Sequence, residues 1–224
     1  MDRARKGRDN SVGARARSVP ADSVWKVGLR KTPNDSGQAI FLVGFMGAGK
    51  TSVGRALARR LNWTFEDLDQ RIEQREGCSV ADVFRSSGEP RFRRAERAAL
   101  EESLKELRSP GNRVVLALGG GAFVQKANAE RLRASGFPTV FLDAPIDELW
   151  RRCSKQASSQ GAERPLLRSR QEFYRLHNVR RPGYLTAGWR IDTSGRSVRR
   201  IAEEIVKRLA LEPKRKSSRE GDAK

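Results

Sequence analysis

One run constrains this chain more than any other: Ile40-Phe41-Leu42-Val43-Gly44-Phe45-Met46-Gly47-Ala48-Gly49-Lys50-Thr51-Ser52-Val53-Gly54. An apolar segment suited to a buried strand leads into a glycine-rich turn, and the apolar spacing after it (Val53, Leu57, Leu61) is helical. Gly44, four intervening residues and Gly49-Lys50-Thr51 fit the phosphate-binding loop pattern in full. The residue types follow from the chemistry. Glycine lets the backbone bend until its N–H groups reach phosphate oxygens. The next helix then points its unpaired N–H groups and positive dipole end at the same anion. Lys50 can reach the β- and γ-phosphates, and the Thr51 hydroxyl can ligate Mg²⁺.

Around that run the chain alternates strands and helices, which predicts a parallel sheet covered on both faces. Folding is expected from about Gln38, with strand one to Val43 and a helix over Lys50–Leu61. Asn62–Asp67 reads as a short strand ending in acids. Ala81–Phe84 reads as a helical turn, Ser86-Ser87-Gly88-Glu89-Pro90 as a break, and Arg91 to about Leu107 as a helix. Val114–Leu118 and Thr139–Leu142 are continuous apolar runs, as in strands buried on both sides. A helix with Pro145 at its first position is expected to run to Cys153, followed by a mobile loop over Lys155–Gly161. Trp189–Asp192 is a candidate last strand and Ser197–Leu211 a final amphipathic helix. Residues 1–37 read as a basic disordered arm and residues 212–224 as a polar tail.

Charge narrows the partners. The chain carries a formal +19 over 224 residues, of which +5 falls on residues 1–37, +2 on 212–224 and +12 on the body. A body that basic attracts nucleotides, phosphorylated metabolites or other polyanions. No RNA- or DNA-binding motif of the usual kinds is present, so nucleic acid is not an expected partner. No apolar run approaches the ~20 residues of a membrane span, and the N-terminus lacks the apolar stretch of a signal peptide. Two distant cysteines, Cys78 and Cys153, suggest a reducing compartment with buried or inert thiols and a cytoplasmic location. His177 is the only histidine, so a Cys/His metal site is excluded. It reads as a helix-surface residue, while Trp63, Trp150 and Trp189 read as packing residues.

Four further features bear chemistry. Asp67 and Asp69 leave the second strand near the phosphate loop, because ligands bind where the C-terminal strand ends gather. In an extended segment both carboxylates point the same way; one suits Mg²⁺ through water, the other a proton from an attacking hydroxyl. Gly119-Gly120-Gly121 allows close approach of backbone to a small molecule. Arg93 and Glu96, one helical turn apart, can pair and leave Arg93 suited to a carboxylate. Arg164, in Arg164-Pro165-Leu166-Leu167 after the mobile loop, can stabilise a transferring phosphoryl group, and Arg180 and Arg181 add cations before Pro182-Gly183-Tyr184.

Taken in order, the phosphate loop, Phe65-Glu66-Asp67-Leu68-Asp69, Gly88-Glu89 ahead of Phe92-Arg93, Gly119-Gly120-Gly121, Arg164-Pro165-Leu166-Leu167 and Arg180-x-Pro182-x-Tyr184 resemble the shikimate kinases across residues 38–211. The resemblance implies a three-layer αβα P-loop kinase fold with a central parallel sheet of about five strands. It also implies a monomeric, Mg²⁺-dependent enzyme that uses ATP to phosphorylate the 3-hydroxyl of shikimate. Gly47, Ala48, Gly49, Lys50, Thr51 and Ser52 would then wrap the ATP phosphates, with Thr51 on the metal and Asp67 supporting it through water. Asp69 would be the general base and bind ring hydroxyls, and Arg93 and Arg180 would clamp the shikimate carboxylate, with Glu96 orienting Arg93. Gly120 backbone would meet a ring hydroxyl, and Phe84 and Phe92 would wall the ring. Arg164 would be the lid arginine, with Arg152 and Arg196 near adenine. The segment from Arg152 to Arg164 is longer than in a compact member, and the loop after Asp192-Thr193 lacks the family's frequent proline. Another small-metabolite kinase of this fold, for gluconate or a nucleoside monophosphate, is the nearer alternative reading, and a nucleic-acid-binding protein using the basic surface is the more distant one.

Overall fold

A computed structural model of the chain describes residues 37–160 and 169–211. The expected basic arm up to residue 36, the tail over 212–224 and the Arg164-Pro165-Leu166-Leu167 segment lie outside the described residues. The elements run β1 (Gln38–Val43), α1 (Lys50–Leu61), β2 (Thr64–Asp67), α2 (Leu68–Glu76), α3 (Val80–Glu106), β3 (Arg113–Ala117), α4 (Lys126–Ala134), β4 (Thr139–Asp143), α5 (Ile146–Gln160), α6 (Arg170–Tyr184), β5 (Trp189–Asp192) and α7 (Val198–Arg208).

The five strands form one sheet in the order β2-β3-β1-β4-β5, every neighbouring pair parallel. Parallel neighbours require crossovers, and the intervening helices supply them. The apolar runs of β1, β3 and β4 are the sheet's centre: Ile40, Phe41, Leu42, Val115, Leu116 and Leu142 are fully buried, as strands covered on both faces must be. From β1 the chain turns first toward β3 and β2, then crosses to β4 and β5. The switch point therefore falls beside β1, and the phosphate loop leaves the sheet there, where α/β folds bind ligands. Helix α1 packs against α7, α2 against α3 and α5 against α6.

Several local expectations change. Asp67-Leu68-Asp69 is not extended throughout: Asp67 has extended angles (φ −123°, ψ 123°), but the chain enters α2 at Leu68. The carboxylate of Asp67 accepts the Asp69 N–H at 3.1 Å and so ends the strand by capping the helix. Residues 155–160 are not a loop; α5 continues through Gln160. Helices α2 and α4 stand where no helix was read, their short apolar faces being too weak a signal. The break at Ser86–Pro90 is a kink, since α3 runs through it with Gly88 alone at non-helical angles (φ 71°, ψ 176°).

That conformation is nearly exclusive to glycine. A β-carbon at Gly88 would meet only Pro90 Cδ, at 3.7 Å, so the strain of a substitution is in the backbone. Gly88→Ala is expected to cost about 1–3 kcal/mol, read as a lowered thermal unfolding midpoint. An unchanged midpoint would show that another residue sets the kink.

Candidate active site

A cleft of about 790 Å³ opens at the C-terminal ends of the strands. One wall is the phosphate loop. Gly49 precedes α1 in a left-handed conformation (φ 89°, ψ 17°), and lacking a side chain it offers the helix no capping oxygen. The first N–H groups of α1 are thus presented to an anion. Gly47, Ala48, Gly49, Lys50, Thr51 and Ser52 all line the cleft. Lys50 Nζ reaches back over the loop to donate to the carbonyls of Gly44 (2.9 Å) and Phe45 (3.1 Å).

Beside it the Thr51 hydroxyl donates to Asp67 Oδ2 at 3.1 Å. With its proton so directed, the Thr51 oxygen turns its lone pairs elsewhere. A hydroxyl oxygen and a carboxylate side by side next to phosphate-binding N–H groups are the hard-oxygen donors Mg²⁺ takes, with substrate phosphates completing its shell. These residues fit that ion.

Asp69 stands in the first turn of α2 and lines the cleft with the phosphate loop. It is crowded by protein on the cleft floor, and burial, with the charge of Asp67 next, pushes its carboxyl up to about 6 against the lowering pull of Lys50. A β-carbon on Gly119 would lie 2.3 Å from Asp69 Oδ1. Two places further on, a β-carbon on Gly121 would lie 2.4 Å from Arg93 Nη1 and 2.8 Å from Nη2. Two of the three glycines after β3 therefore make room for the protein's own carboxylate and guanidinium, a role the sequence pattern alone does not reveal.

Arg93 is held on two sides. Its Nη1 donates to Glu96 Oε2 at 2.9 Å, and its Nε and Nη2 to Glu89 Oε1 at 3.0 and 2.9 Å. Glu96 is buried, and burial pushes its carboxyl up while Arg93 pulls it down. Gln125 Nε2 donates to the same Glu96 oxygen. Glu96 thus orients Arg93, as expected; Glu89 and Gln125 are additions from the structure. Across the glycine loop, Arg180 Nη1 lies 3.7 Å from where a Gly120 β-carbon would stand. The rings of Phe84 and Phe92 lie 4.4 Å apart, tilted by 31°, and both line the cleft.

Arg152 and Arg196 also line the cleft. Arg152 joins three segments: it donates to the Gly47 carbonyl at 3.3 Å, to the Thr193 hydroxyl and carbonyl at 3.1 and 2.7 Å, and to Glu148 at 2.5 Å. Arg196 is braced by Glu204 at 2.5 Å and the Asp192 carbonyl at 2.8 Å. Both arginines therefore tie the loop after β5 in place. Arg164 falls outside the described residues.

Two minor readings change. His177 is buried, not on the helix surface; its ring stands edge-on to Phe45 of the phosphate loop at 5.2 Å, and burial lowers its pKa. Cys78 is exposed, while Cys153 is buried as expected. A second groove of about 820 Å³ lies at the opposite strand ends, lined by Trp63, Glu66, Glu106, Leu107 and Arg113 among others; Glu66 is the one motif residue in its lining, and there it pairs with Arg71 at 2.7 Å.

The cleft has a direction. The phosphate loop and the α1 N-terminus suit phosphates, Arg93 and Arg180 are cations suited to a carboxylate, and Asp69, a carboxylate of raised pKa, lines the same cleft. Such an arrangement defines a phosphotransferase of the P-loop kinase class acting on a small anionic acceptor. The shikimate kinase family model matches residues 46–210. The shikimate kinase of Persephonella marina is 37% identical over 171 residues, 76% of this chain and 98% of that protein. The solved shikimate kinase from Acinetobacter baumannii, in complex with shikimate, superposes with a TM-score of 0.68 at 34% identity, over 80% of this chain and 97% of that one. A gluconokinase from Sinorhizobium meliloti shares the fold at 20% identity, with a TM-score of 0.50 over 79% of this chain and 93% of that one. The chain belongs to the shikimate kinase family.

Proposed function

We infer that the protein transfers the γ-phosphoryl group of ATP to the 3-hydroxyl of shikimate, giving shikimate 3-phosphate and ADP. The observation that carries this reading is the position of Asp69. It shares the cleft with Lys50 and with Arg93 and its partner Glu96, and its carboxylate feels the charges of both Lys50 and Glu96. A group so placed can accept the proton of an acceptor hydroxyl while Lys50 faces the phosphates.

Binding comes first. The loop from Gly47 to Ser52 and the α1 N-terminus take the phosphates, and Arg152 and Arg196 hold the loop after β5 beside the adenine. Arg93 and Arg180 hold the shikimate carboxylate, Phe84 and Phe92 wall its ring, and Gly120 offers backbone to a ring hydroxyl. Orientation then places the hydroxyl between Asp69 and the γ-phosphate, so the entropy of encounter is met by binding. As the oxygen attacks, Asp69 takes its proton. Lys50, with Arg164 as the lid arginine, neutralises charge on the moving phosphoryl group. When bound, Mg²⁺ would be held by Thr51 directly and Asp67 through water, and would supply charge neutralisation on the phosphate oxygens. A monomer in the cytoplasm belongs to the same reading and agrees with two free thiols. No helix among the described residues is long and apolar enough to cross a membrane.

Replacing the planar fork of Arg93 by a point charge tests the acceptor side. Arg93→Lys is expected to raise the KM for shikimate by about 10-fold or more, from the loss of a charge-assisted hydrogen bond, while the KM for ATP stays within about twofold. Equal rises in both constants in steady-state kinetics would remove Arg93 from the acceptor site.

A further inference from the structure

The Arg-x-Pro-x-Tyr segment ends α6 with a side chain that the reaction as derived does not use. Tyr184 is 1% exposed, and its ring stacks on Phe141 of β4 at 5.3 Å and 26°. The ring is therefore fixed by the core, and its hydroxyl lies behind the glycine loop that lines the cleft. That hydroxyl donates to the carbonyl of Gly120. Arg180 Nη1 and the Tyr184 hydroxyl oxygen both stand beside Gly120, 3.7 and 3.8 Å from where its β-carbon would be, and the Arg180 charge pulls the phenol's pKa down against its burial.

Resting on the shikimate kinase reading above, we propose that Tyr184 is a positioning residue for the acceptor: one hydroxyl joins the Gly120 backbone to Arg180 and fixes the distance between the ring-hydroxyl contact and the carboxylate clamp.

Gly120 sits in a loop of three glycines, which has little stiffness of its own. Its neighbours are steadied by Asp69 and Arg93, whose end atoms pack where β-carbons would be; Gly120 is steadied by Tyr184. With the Gly120 carbonyl engaged, the peptide unit it forms with the Gly121 N–H is held in one orientation, and the backbone that faces a ligand here keeps one direction. Burial pushes the phenol up to about 12, so the hydroxyl remains a donor at any pH where the enzyme works. Arg180 belongs to α6 and Gly120 to the loop after β3. Without a link the two would move with separate elements, and a rigid acceptor that bridges both would meet a variable gap.

Tyr184→Phe keeps the ring and removes the link. The KM for shikimate is expected to rise about 3- to 10-fold, as for one lost hydrogen bond, with the KM for ATP unchanged. A folded variant with an unchanged shikimate KM, or with both KM values raised alike, would overturn the proposal and leave Tyr184 a packing residue. If the variant does not fold, the unmodified full-length protein decides. The chain has two tyrosines, so carbon-13 labelling at Cζ gives two signals. Shikimate is expected to shift that of Tyr184 and leave that of Tyr174. A Tyr184 signal that does not move at saturating shikimate would also overturn the proposal. Should the protein phosphorylate a different acceptor, a raised KM for that acceptor in Tyr184→Phe would uphold the positioning role while overturning the choice of shikimate.

Discussion

Asp69→Asn is expected to lower kcat by about 10²- to 10⁴-fold, the range that a general base contributes, and to leave the KM for ATP nearly unchanged. The same substitution should stabilise the protein. Burial and the charge of Asp67 hold the carboxyl at about 6 in the fold against 3.8 in the open chain. Folding therefore disfavours the ionised form. That penalty is absent below the unfolded value, grows as pH rises between the two values and is complete above the folded one; asparagine never carries it. Some solvent still reaches the group, so the full shift is not realised, and about 1–2 kcal/mol is the expected gain at pH 8. Thermal unfolding of the two proteins at pH 4 and pH 8 checks this: the midpoints should converge at pH 4 and separate in favour of the variant at pH 8. The acid limb of kcat/KM should likewise report a group near 6 in the unmodified enzyme. A variant that is both inactive and less stable at pH 8 would mean that Asp69 is held by interactions worth more than its burial costs.

Gly119→Ala and Gly121→Ala carry the second large effect. Each new β-carbon would fall within 2.4 Å of an atom in Asp69 or Arg93. Those atoms end flexible side chains, so the fold yields by moving them, and the damage falls on function. Displacing the base by about 1 Å is expected to reduce kcat on the order of 10²-fold in Gly119→Ala. Displacing the guanidinium should act on the acceptor in Gly121→Ala, raising the shikimate KM by about 10-fold, with a stability loss below about 2 kcal/mol in either. Gly44→Ala should behave oppositely. Its β-carbon would meet the Leu142 carbonyl at 2.6 Å with φ at 148°, and a backbone atom cannot swing aside. Unfolding midpoints and steady-state constants measured on the three variants separate these cases. A Gly119→Ala enzyme with full kcat would show that Asp69 has room to spare.

The difference between what the chain announces and what it conceals is physical. The phosphate loop is legible because its function needs glycines, a lysine and a hydroxyl at fixed spacing within one turn. The central strands β1, β3 and β4 are legible because burial on both faces makes them apolar without interruption. Helices α2 and α4 are not: each is nine residues long, with an apolar face too narrow to stand out. Asp67 and Asp69 do lie in the cleft with the phosphate loop, but not on one extended segment, since Asp67 ends the strand by capping α2. Arg93 with Glu96 could be read as a helical pair at i, i+3. Gln125, on a different element, could not, because only the fold brings it to Glu96. The buried position of His177 escaped for the same reason: the aromatic edge it packs on comes from the phosphate loop, more than a hundred residues earlier in the chain.

The most direct test of the account is release of ADP from Mg·ATP by the purified full-length protein, measured in a coupled assay with shikimate, gluconate, nucleoside monophosphates or no acceptor. ADP release that depends on shikimate, with the other acceptors at the level of no acceptor, is the predicted result. Release driven by gluconate or a nucleotide, with shikimate inert, would contradict it. The phosphate loop and Asp69 would keep their roles, and the assignment of Arg93 and Arg180 to the shikimate carboxylate would fall.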